Sequence, residues 1–320
     1  MKGFNRRQFL GAGLGAAALL GLPGRLLAAS DPKRTLRVGY VGSTTVPTGP
    51  SGWALHQGIT QKHLEPLGFD NINTYVFVNG PELNEALLSG ALDVGTYGDT
   101  PAMVCYAMSQ ASRLLSIDAV GMNAWLVTPK NGVSSVAELK GKVVATPLGS
   151  YMHRYLIGTL HEAGILKDTK IVALPARDSE AALAQGDIAA YAAQSELGPT
   201  LLSNGYPLID QATDHPHLRG CTVTVASEKL LKQVPHFSEA WLAARRESVA
   251  QITADWPAYF SFHAQASKYS QAAIEATYTG NEFQLEPLSP VGLELLSGSK
   301  QFLLEQRLIR RDFDINEWKV

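Results

Sequence analysis

Residues 90–108 predict a strand, a tight turn and a capped helix, and this stretch constrains the fold most. A run of β-forming residues ends at Gly98. Asp99 and Thr100 stand where a helix N-cap belongs, and Pro101 follows at the first helical position. A helix start exposes backbone N–H groups and the positive end of the helix dipole, which favours an anionic ligand. An ordinary cap without a ligand explains the same residues, so the motif leaves both roles open.

The same order of strand, glycine turn and helix recurs along the chain. We predict strands at 35–41, 73–78, 91–97, 114–120, 142–146, 171–174 and 222–225. We predict helices at 53–65, from Gly80 to a stop at Gly90, from Thr100, at 151–163 with Gly164 as the stop, before Gly186, and at 237–256, 266–278 and 293–308. Strands that alternate with helices favour an α/β fold with a mostly parallel sheet in each half.

Length and charge limit the function. A chain of 320 residues can hold two domains, and 45% hydrophobic with 18% charged residues is a globular composition. The net charge is −2, and residues 1–30 contain four basic residues and no acid, so the remainder is more acidic still. This excludes a general nucleic-acid or polybasic membrane surface. Anion binding must therefore depend on backbone amides, hydroxyls and one or two cations.

Residues 1–30 read as a targeting segment. Asn5-Arg6-Arg7-Gln8-Phe9-Leu10 resembles the twin-arginine export signal, and a short apolar run leads to the small residues Ala28-Ala29-Ser30. The apolar run is too short to span a bilayer. An amphipathic or disordered arm is the alternative. We predict export to the periplasm by the twin-arginine route, with the mature chain beginning near residues 29–31.

The two cysteines, Cys105 and Cys221, fit neither a disulfide framework nor a metal site. We predict two buried core thiols, with a single long-range disulfide as the alternative in an oxidising compartment. The sequence shows no Ser-His-acid spacing, metal cluster or cofactor motif, so we predict no catalytic residue, no metal and no cofactor.

Six collinear segments carry a family resemblance. They lie at residues 36–40, 84–95, 98–101, 136–145, 149–153 and 302–318, within a similarity that covers nearly all of residues 35–320. Together they resemble the periplasmic substrate-binding proteins of ABC importers, in the branch that binds aliphatic sulfonates, taurine, nitrate and thiamine-pyrimidine precursors. The resemblance implies the type II fold of these proteins: two α/β lobes, each with a mostly parallel sheet flanked by helices, joined by a two-stranded hinge.

The resemblance also implies a domain organisation and a function. Residues 35–127 plus 221–320 would form the first lobe with the C-terminal helices, and residues 128–220 the second lobe. The chain would be the extracytoplasmic solute-binding component of an ABC import system and not an enzyme. It would capture a small organic anion, an alkane or aryl sulfonate or a sulfate ester, by hinge closure. The expected partners are this anion and the transmembrane subunits of the permease, with no nucleic acid, and we expect a monomer.

We expect the cleft between the lobes to be lined by hydroxyl-rich turns and helix starts. The candidate ligand-binding residues are Ser43, Thr44, Thr45, Gly98, Asp99, Thr100, Gly149, Ser150, Tyr151, His153, Arg177, Gln194 and Glu196. Structural roles remain open for several of them. His153 and Tyr151 also suit a lobe core, Arg177 also suits a pair with Asp178, and Glu196 also suits a surface helix start.

Two departures from the family pattern leave the identity of the ligand open. Where the family has Asp-Ala-Trp-x-x-Trp-Asp-Pro, residues 189–196 read Ala-Ala-Tyr-Ala-Ala-Gln-Ser-Glu, so an aromatic wall is missing. The tail of the ligand must then be met by something more polar or larger. The first cleft loop is also longer, with residues 46–52 as an insertion. Trp53 beside it either covers the tail or packs its helix against the lobe.

An enzyme on the same fold is the alternative function. The sulfinate desulfinases resemble this family and use a cysteine nucleophile in the first cleft loop. This loop has Ser43, Thr44 and Thr45 but no cysteine, and both thiols lie elsewhere. The missing nucleophile favours binding over catalysis.

Overall fold

The computed structural model describes residues 34–267 and 269–320; the predicted targeting segment lies outside the described residues. The described strands are β1 (Arg34–Val41), β2 (Phe69–Phe77), β3 (Val94–Gly98), β4 (Ser112–Met122), β5 (Ala124–Val127), β6 (Val143–Thr146), β7 (Lys170–Ala173), β8 (Ala190–Gln194), β9 (Leu208–Gln211) and β10 (Gly220–Ser227).

The described α-helices surround these strands. They are α1 (Gly49–His56), α2 (Ile59–Leu64), α3 (Gly80–Leu88), α4 (Asp99–Ser109), α5 (Tyr151–Glu162), α6 (Ala176–Gln185), α7 (Leu197–Ser203), α8 (Glu228–Gln233), α9 (Phe237–Ala254), α10 (Trp256–Ser267), α11 (Gln271–Glu275), α12 (Pro290–Glu305) and α13 (Ile315–Trp318).

The strands form two sheets of five, so the fold is α/β with two lobes, as predicted. The first sheet has the order β2-β1-β3-β10-β4 and the second the order β7-β6-β8-β5-β9. In each sheet two neighbouring pairs are parallel and two are antiparallel. The pattern is more mixed than the alternation of strands and helices predicts, because β10 and β5 run against their neighbours.

The chain passes between the sheets at two places. It leaves the first sheet at Met122 and enters the second at Ala124, and it returns from Gln211 to Gly220. Two connections are the number that a two-stranded hinge requires. β5 belongs to the second sheet, although the predicted boundary at residue 127 assigns it to the first lobe. A Cβ atom at Gly220 would lie 2.6 Å from the Tyr151 ring, so the return strand packs closely against α5.

Local sequence signals explain where many helices begin and end. Ser150 accepts a hydrogen bond from the His153 amide at 3.1 Å and caps α5, as its position predicts. Gly90 and Gly164 adopt positive φ angles of 77° and 71° after α3 and α5, which is the conformation that glycine favours at a helix end. Both predicted stops are confirmed.

Three predicted helices differ from the structure. The helix predicted over 53–65 is two helices, because Gly58 between them has a φ of 71° and interrupts the helical path. The single helix predicted over 266–278 is absent, since α10 ends at Ser267 and α11 covers only Gln271–Glu275. The N-cap of α4 is Gly98, which places Asp99 and Thr100 inside the first turn.

Cys105 and Cys221 are both free and buried, which confirms the predicted core thiols. Burial raises the pKa of Cys105 to about 11 and that of Cys221 to about 12. Neither thiol is therefore an activated nucleophile near neutral pH.

Candidate ligand-binding site

A cavity of about 640 Å³ lies between the two sheets and receives residues from both. The first sheet contributes the ends of β1 and β3, at Val41 and Gly98, and the second contributes the ends of β6 and β8, next to Pro147 and Gln194. The carboxyl ends of strands in α/β sheets form the usual ligand crevice. The position of this cavity therefore marks it as the candidate ligand site.

Five helices begin at the wall of this cavity. The lining residues include the helix starts Gly49 and Pro50 of α1, Gly80 and Pro81 of α3, Gly98 before α4, Ser150 and Tyr151 at α5, and Ala176 and Arg177 of α6. At the N-caps of α1, α4 and α6, which are Thr48, Gly98 and Pro175, no side chain makes a capping hydrogen bond. Each helix start carries about half a positive charge. Their convergence gives the cavity an environment that favours an anion.

Ser150 and Tyr151 line the cavity, but Gly149 and His153 do not. The Ser150 hydroxyl donates to the Pro147 carbonyl at 2.6 Å while it accepts from the His153 amide. His153 Nδ1 accepts from the Gly149 amide at 3.2 Å, and burial lowers the pKa of this histidine. His153 therefore supports the turn before α5, in agreement with its alternative structural role.

Asp99 and Thr100 are 0% and 3% exposed and do not line the cavity. Asp99 Oδ2 accepts from Arg154 Nη2 at 3.2 Å, from the Cys221 amide at 3.2 Å and from the Ser299 hydroxyl at 3.3 Å. Thr100 Oγ1 donates to Asp99 and accepts from Arg154 Nε at 3.2 Å. The two side chains that we expected to face a ligand bind a buried arginine instead. Gly98, the third member of this group, does line the cavity.

The first cleft loop contributes Ser43 and Thr44 to the cavity, but not Thr45. Both the amide and the hydroxyl of Thr45 donate to the Ala266 carbonyl, at 2.9 and 3.1 Å. Tyr40 Oη donates to the Thr44 carbonyl at 3.1 Å. Much of the predicted insertion is helical, because α1 begins within it at Gly49.

Arg177 and Gln194 both line the cavity. The Arg177 side chain is 70% exposed and its Nε lies 3.7 Å from Asp178, so it occupies the rim and contacts its neighbour at the same time. Gln194 Oε1 is buried and has no hydrogen-bond partner within the described part of the chain. An acceptor in this condition is available to a donor on a ligand.

Glu196 lines the cavity together with His263, a residue that the sequence analysis did not single out. Glu196 Oε1 lies 3.1 Å from His263 Nε2, and the side chains are 14% and 1% exposed. Burial acts to raise the pKa of Glu196, but the contact with His263 outweighs it and the pKa is lowered. Glu196 is therefore ionised at neutral pH.

Asp118 is a second acid at the cavity, and its charge is compensated. It accepts hydrogen bonds from Ser51, from Ser116 at 2.7 Å, from Thr224 at 3.0 Å and from Arg245 Nε at 3.2 Å. Asp118 and Arg245 are each 1% exposed. The members of this group come from four separate elements, so no local sequence pattern marks them.

Aromatic side chains form much of the remaining wall. They are Tyr40, Tyr97, Tyr151, Tyr269, Tyr278 and Phe283. Tyr269, Tyr278 and Phe283 come after the point where the chain has returned to the first sheet. The ring centroids of Tyr278 and Phe283 are 5.2 Å apart. They provide aromatic surface in place of the missing tryptophans. Trp53 does not line the cavity; its ring packs against Phe262 and it therefore holds its helix in place.

The described ranges, 34–267 and 269–320, lack two further features. They contain no group of three or more His, Cys, Asp or Glu side chains placed to hold a metal ion. None of their helices combines the length and the apolar character that a membrane crossing needs.

Residues 74–256 match the model of the NMT1/THI5 like family, which is more than half of the chain. The chain belongs to this family. A related protein of Escherichia coli strain K12, named as a candidate aliphatic sulfonates-binding protein, is 30% identical over 206 residues. That match covers 63% of this chain and 62% of the relative, so the chain matches less than two thirds of the length of that curated protein.

Solved structures share the fold at lower identity. The alkanesulfonate-binding protein SsuA from Xanthomonas axonopodis pv. citri, bound to MOPS, has a TM-score of 0.72 at 22% identity and covers 88% of this chain and 96% of its own. The desulfurization enzyme DSZB has a TM-score of 0.72 at 17% identity, with coverages of 90% and 96%. Both similarities establish the two-lobed fold, and neither assigns a ligand to this chain.

Proposed function

We propose that this protein is the extracytoplasmic solute-binding component of an ABC import system. In this proposal it captures a small organic anion, an alkane or aryl sulfonate or a sulfate ester, in the cavity between the sheets. The observation that carries the proposal is the convergence of five helix starts on one cavity. The sulfonate-binding name of the Escherichia coli relative supports the same ligand class.

Recognition through helix starts suits a protein that must release its ligand again. Amides and hydroxyls stabilise a sulfonate without a full counter-charge in the site. Arg177 at the rim adds one cation that remains in contact with solvent. The ligand contacts that we propose are Ser43, Thr44, Gly98, Ser150, Tyr151, Arg177, Gln194 and Glu196, all of which line the cavity.

The remaining parts of the proposal follow from the solute-binding role. The two lobes close on the ligand about the connections at Asn123 and at residues 212–219. The closed form is the one that the permease subunits receive, and the protein acts as a monomer. The twin-arginine-like residues 5–10 support export to the periplasm.

A thermal-shift panel tests the proposal. Sulfonates, sulfate esters, nitrate, pyrimidines and carboxylates are each added to the mature protein, and mass spectrometry identifies any ligand that co-purifies with it. A ligand present at one hundred times its Kd stabilises the folded state by about 2.7 kcal/mol. Stabilisation by sulfonates or sulfate esters supports the proposal. Stabilisation by pyrimidines alone, or by none of the anions, contradicts it.

An enzyme of the desulfurization type is the second candidate, favoured by the shared fold of DSZB. The residues of this chain argue against it. The first cleft loop presents Ser43 and Thr44, and the thiols of Cys105 and Cys221 are buried with raised pKa values. Turnover of any ligand found in the panel would establish the enzyme instead.

A further inference from the structure

The ring of Tyr151 lies where the connections between the two sheets approach the cavity. Tyr151 begins α5 of the second lobe and lines the cavity, and 7% of the residue is exposed. Its Oη donates to the carbonyl of Asn123, in the outgoing connection, at 3.2 Å. Burial raises the pKa of Tyr151 to about 12, so the hydroxyl keeps its proton at neutral pH and remains a donor. The tyrosine is thereby bound to the outgoing connection.

Asn123 fastens this outgoing connection to the return connection. Its Oδ1 accepts from the Thr213 amide at 3.0 Å, and its Nδ2 donates to Gln211 Oε1 at 3.2 Å. Gln211 ends β9 and Thr213 follows shortly after it, so both lie where the return path begins. One asparagine therefore holds the two connections side by side, and Tyr151 donates to its carbonyl.

The return connection ends against the same tyrosine ring. Gly220 begins β10 of the first sheet, and a Cβ atom there would lie 2.6 Å from both Cγ and Cδ2 of Tyr151. This is shorter than a van der Waals contact, so glycine is the residue that lets β10 and α5 approach this closely. At the other edge of the ring, Cδ1 lies 3.6 Å from the position of a Cβ atom at Gly98, where β3 ends. A second-lobe side chain is thus enclosed by two strands of the first sheet.

This enclosure couples the ring to the angle between the lobes. Rotation of the lobes about their connections changes how closely α5 approaches β10. The aromatic ring between these two elements limits that approach, because a packed contact does not absorb even one added methyl group without a shift. A ligand in the cavity lies against the same ring, so the cavity and the connections act on one side chain.

We infer that the Tyr151 ring is the pivot of lobe closure, and that residue 220 is glycine because the closed form brings β10 against this ring. The inference rests on the proposed function and adds to it the pair of residues that sets the closed arrangement. Tyr151 is in this respect a positioning residue: its ring determines the angle between the lobes, in addition to its proposed contact with the ligand.

A methyl group added at residue 220 tests the inference. Gly220 has no positive φ, so Gly220→Ala adds the Cβ atom without backbone strain. Gly292→Ala is the matched control, because a Cβ atom there would lie 2.7 Å from Ile117 Cδ1, and both residues belong to the first lobe. Small-angle X-ray scattering gives the radius of gyration without ligand. Calorimetry gives the Kd of butane-1-sulfonate and of benzenesulfonate.

We expect Gly220→Ala to hold the lobes apart. Its radius of gyration without ligand exceeds the wild-type value. The Kd of each sulfonate that the wild type binds rises about tenfold or more, because binding must now overcome the crowded contact. Gly292→Ala keeps the wild-type radius and Kd, although it lowers the free energy of unfolding. In a Tyr151→Ala background, where the ring is absent, Gly220→Ala increases the radius little or not at all.

A ligand-free radius of Gly220→Ala equal to that of the wild type overturns the inference. An increase that persists in full in the Tyr151→Ala background overturns the role of the ring. If neither sulfonate binds the wild type, the proposed function fails, and the scattering comparison still decides the inference. If Gly220→Ala does not fold, recovery of folding in the double variant with Tyr151→Ala supports the contact, and no recovery overturns it.

Discussion

Arg154 and Asp99 form an ion pair with 3.2 Å between Nη2 and Oδ2, and both side chains are 0% exposed. Asp99 begins α4, the helix after strand β3 of the first sheet. Arg154 lies on α5, the helix after strand β6 of the second sheet. Arg154 Nη2 also donates to the carbonyl of Arg219 at 3.0 Å, in the connection between the sheets. One guanidinium therefore links two helices that begin at the cavity to the segment that joins the lobes.

Replacement of Arg154 by Met should strongly destabilise the protein. It leaves the Asp99 carboxylate buried without a counter-charge, and breaking such a pair costs about 3–5 kcal/mol. Urea unfolding measures the loss in the free energy of unfolding. Lys140→Met is the control, because Lys140 and Asp168 are 65% and 51% exposed and a surface pair contributes about 0–1 kcal/mol. Equal effects of the two substitutions would contradict a structural role for the buried pair.

Replacement of Ser150 by Ala should reduce stability more than ligand affinity. The hydroxyl caps α5 by accepting a hydrogen bond from the His153 amide, and it donates one to the Pro147 carbonyl. Its loss should therefore cost about 0.5–2 kcal/mol of stability. The Kd of the best sulfonate from the panel should rise less than about tenfold, or 1.4 kcal/mol. A larger loss of affinity with unchanged unfolding would instead show that the Ser150 hydroxyl contributes more to ligand binding than to the cap of α5.

His215 should make stability depend on pH, because both of its ring nitrogens face carboxylates. Nδ1 lies 2.8 Å from Glu162 and Nε2 lies 3.0 Å from Asp210. Burial disfavours the charged ring, but the carboxylates outweigh it and the pKa of His215 is raised. A raised folded-state pKa gives stability that is complete below about pH 6.5 and is lost as the pH rises through the raised value.

The measurement is urea unfolding of the wild type and His215→Gln at pH 6 and pH 9. We expect the substitution to cost about 1–3 kcal/mol at pH 6, where a charged hydrogen bond is lost, and clearly less at pH 9. His63→Gln is the control. His63 contacts one carboxylate, that of Glu247, through Nε2, whereas His215 lies between two. The same cost of His215→Gln at both pH values would rule out a charged ring.

Neither Cys105 nor Cys221 should react with a thiol reagent in the native protein. Both are buried, and burial raises their pKa values to about 11 and about 12. Both thiols therefore stay protonated at pH 8, and the thiol is much less reactive than the thiolate. Ellman's reagent should detect no thiol in the folded protein and two after denaturation. Rapid labelling of the folded protein would contradict this and would revive the enzyme alternative.

The sequence predicted the parts of the site that depend on neighbouring residues. Ser150 caps the amide three positions ahead, and the glycine stops after α3 and α5 have the expected positive φ. Gly98 ends β3, while Ser150 and Glu196 come shortly after the ends of β6 and β8, and the carboxyl ends of strands form the usual ligand crevice of α/β sheets. Local hydrogen bonds and chain direction are sufficient for these predictions.

Tertiary structure decided which of these groups face the cavity. Thr100 and Ser150 occupy similar helix starts, yet Thr100 is turned towards Arg154, 54 residues away in the chain. His263 reaches Glu196 from α10, and Tyr278 adds an aromatic surface that the β8 segment lacks. The reason is physical: a short pattern determines the backbone around a side chain. Partners from distant segments determine whether its hydroxyl or charge faces the cavity or binds another side chain.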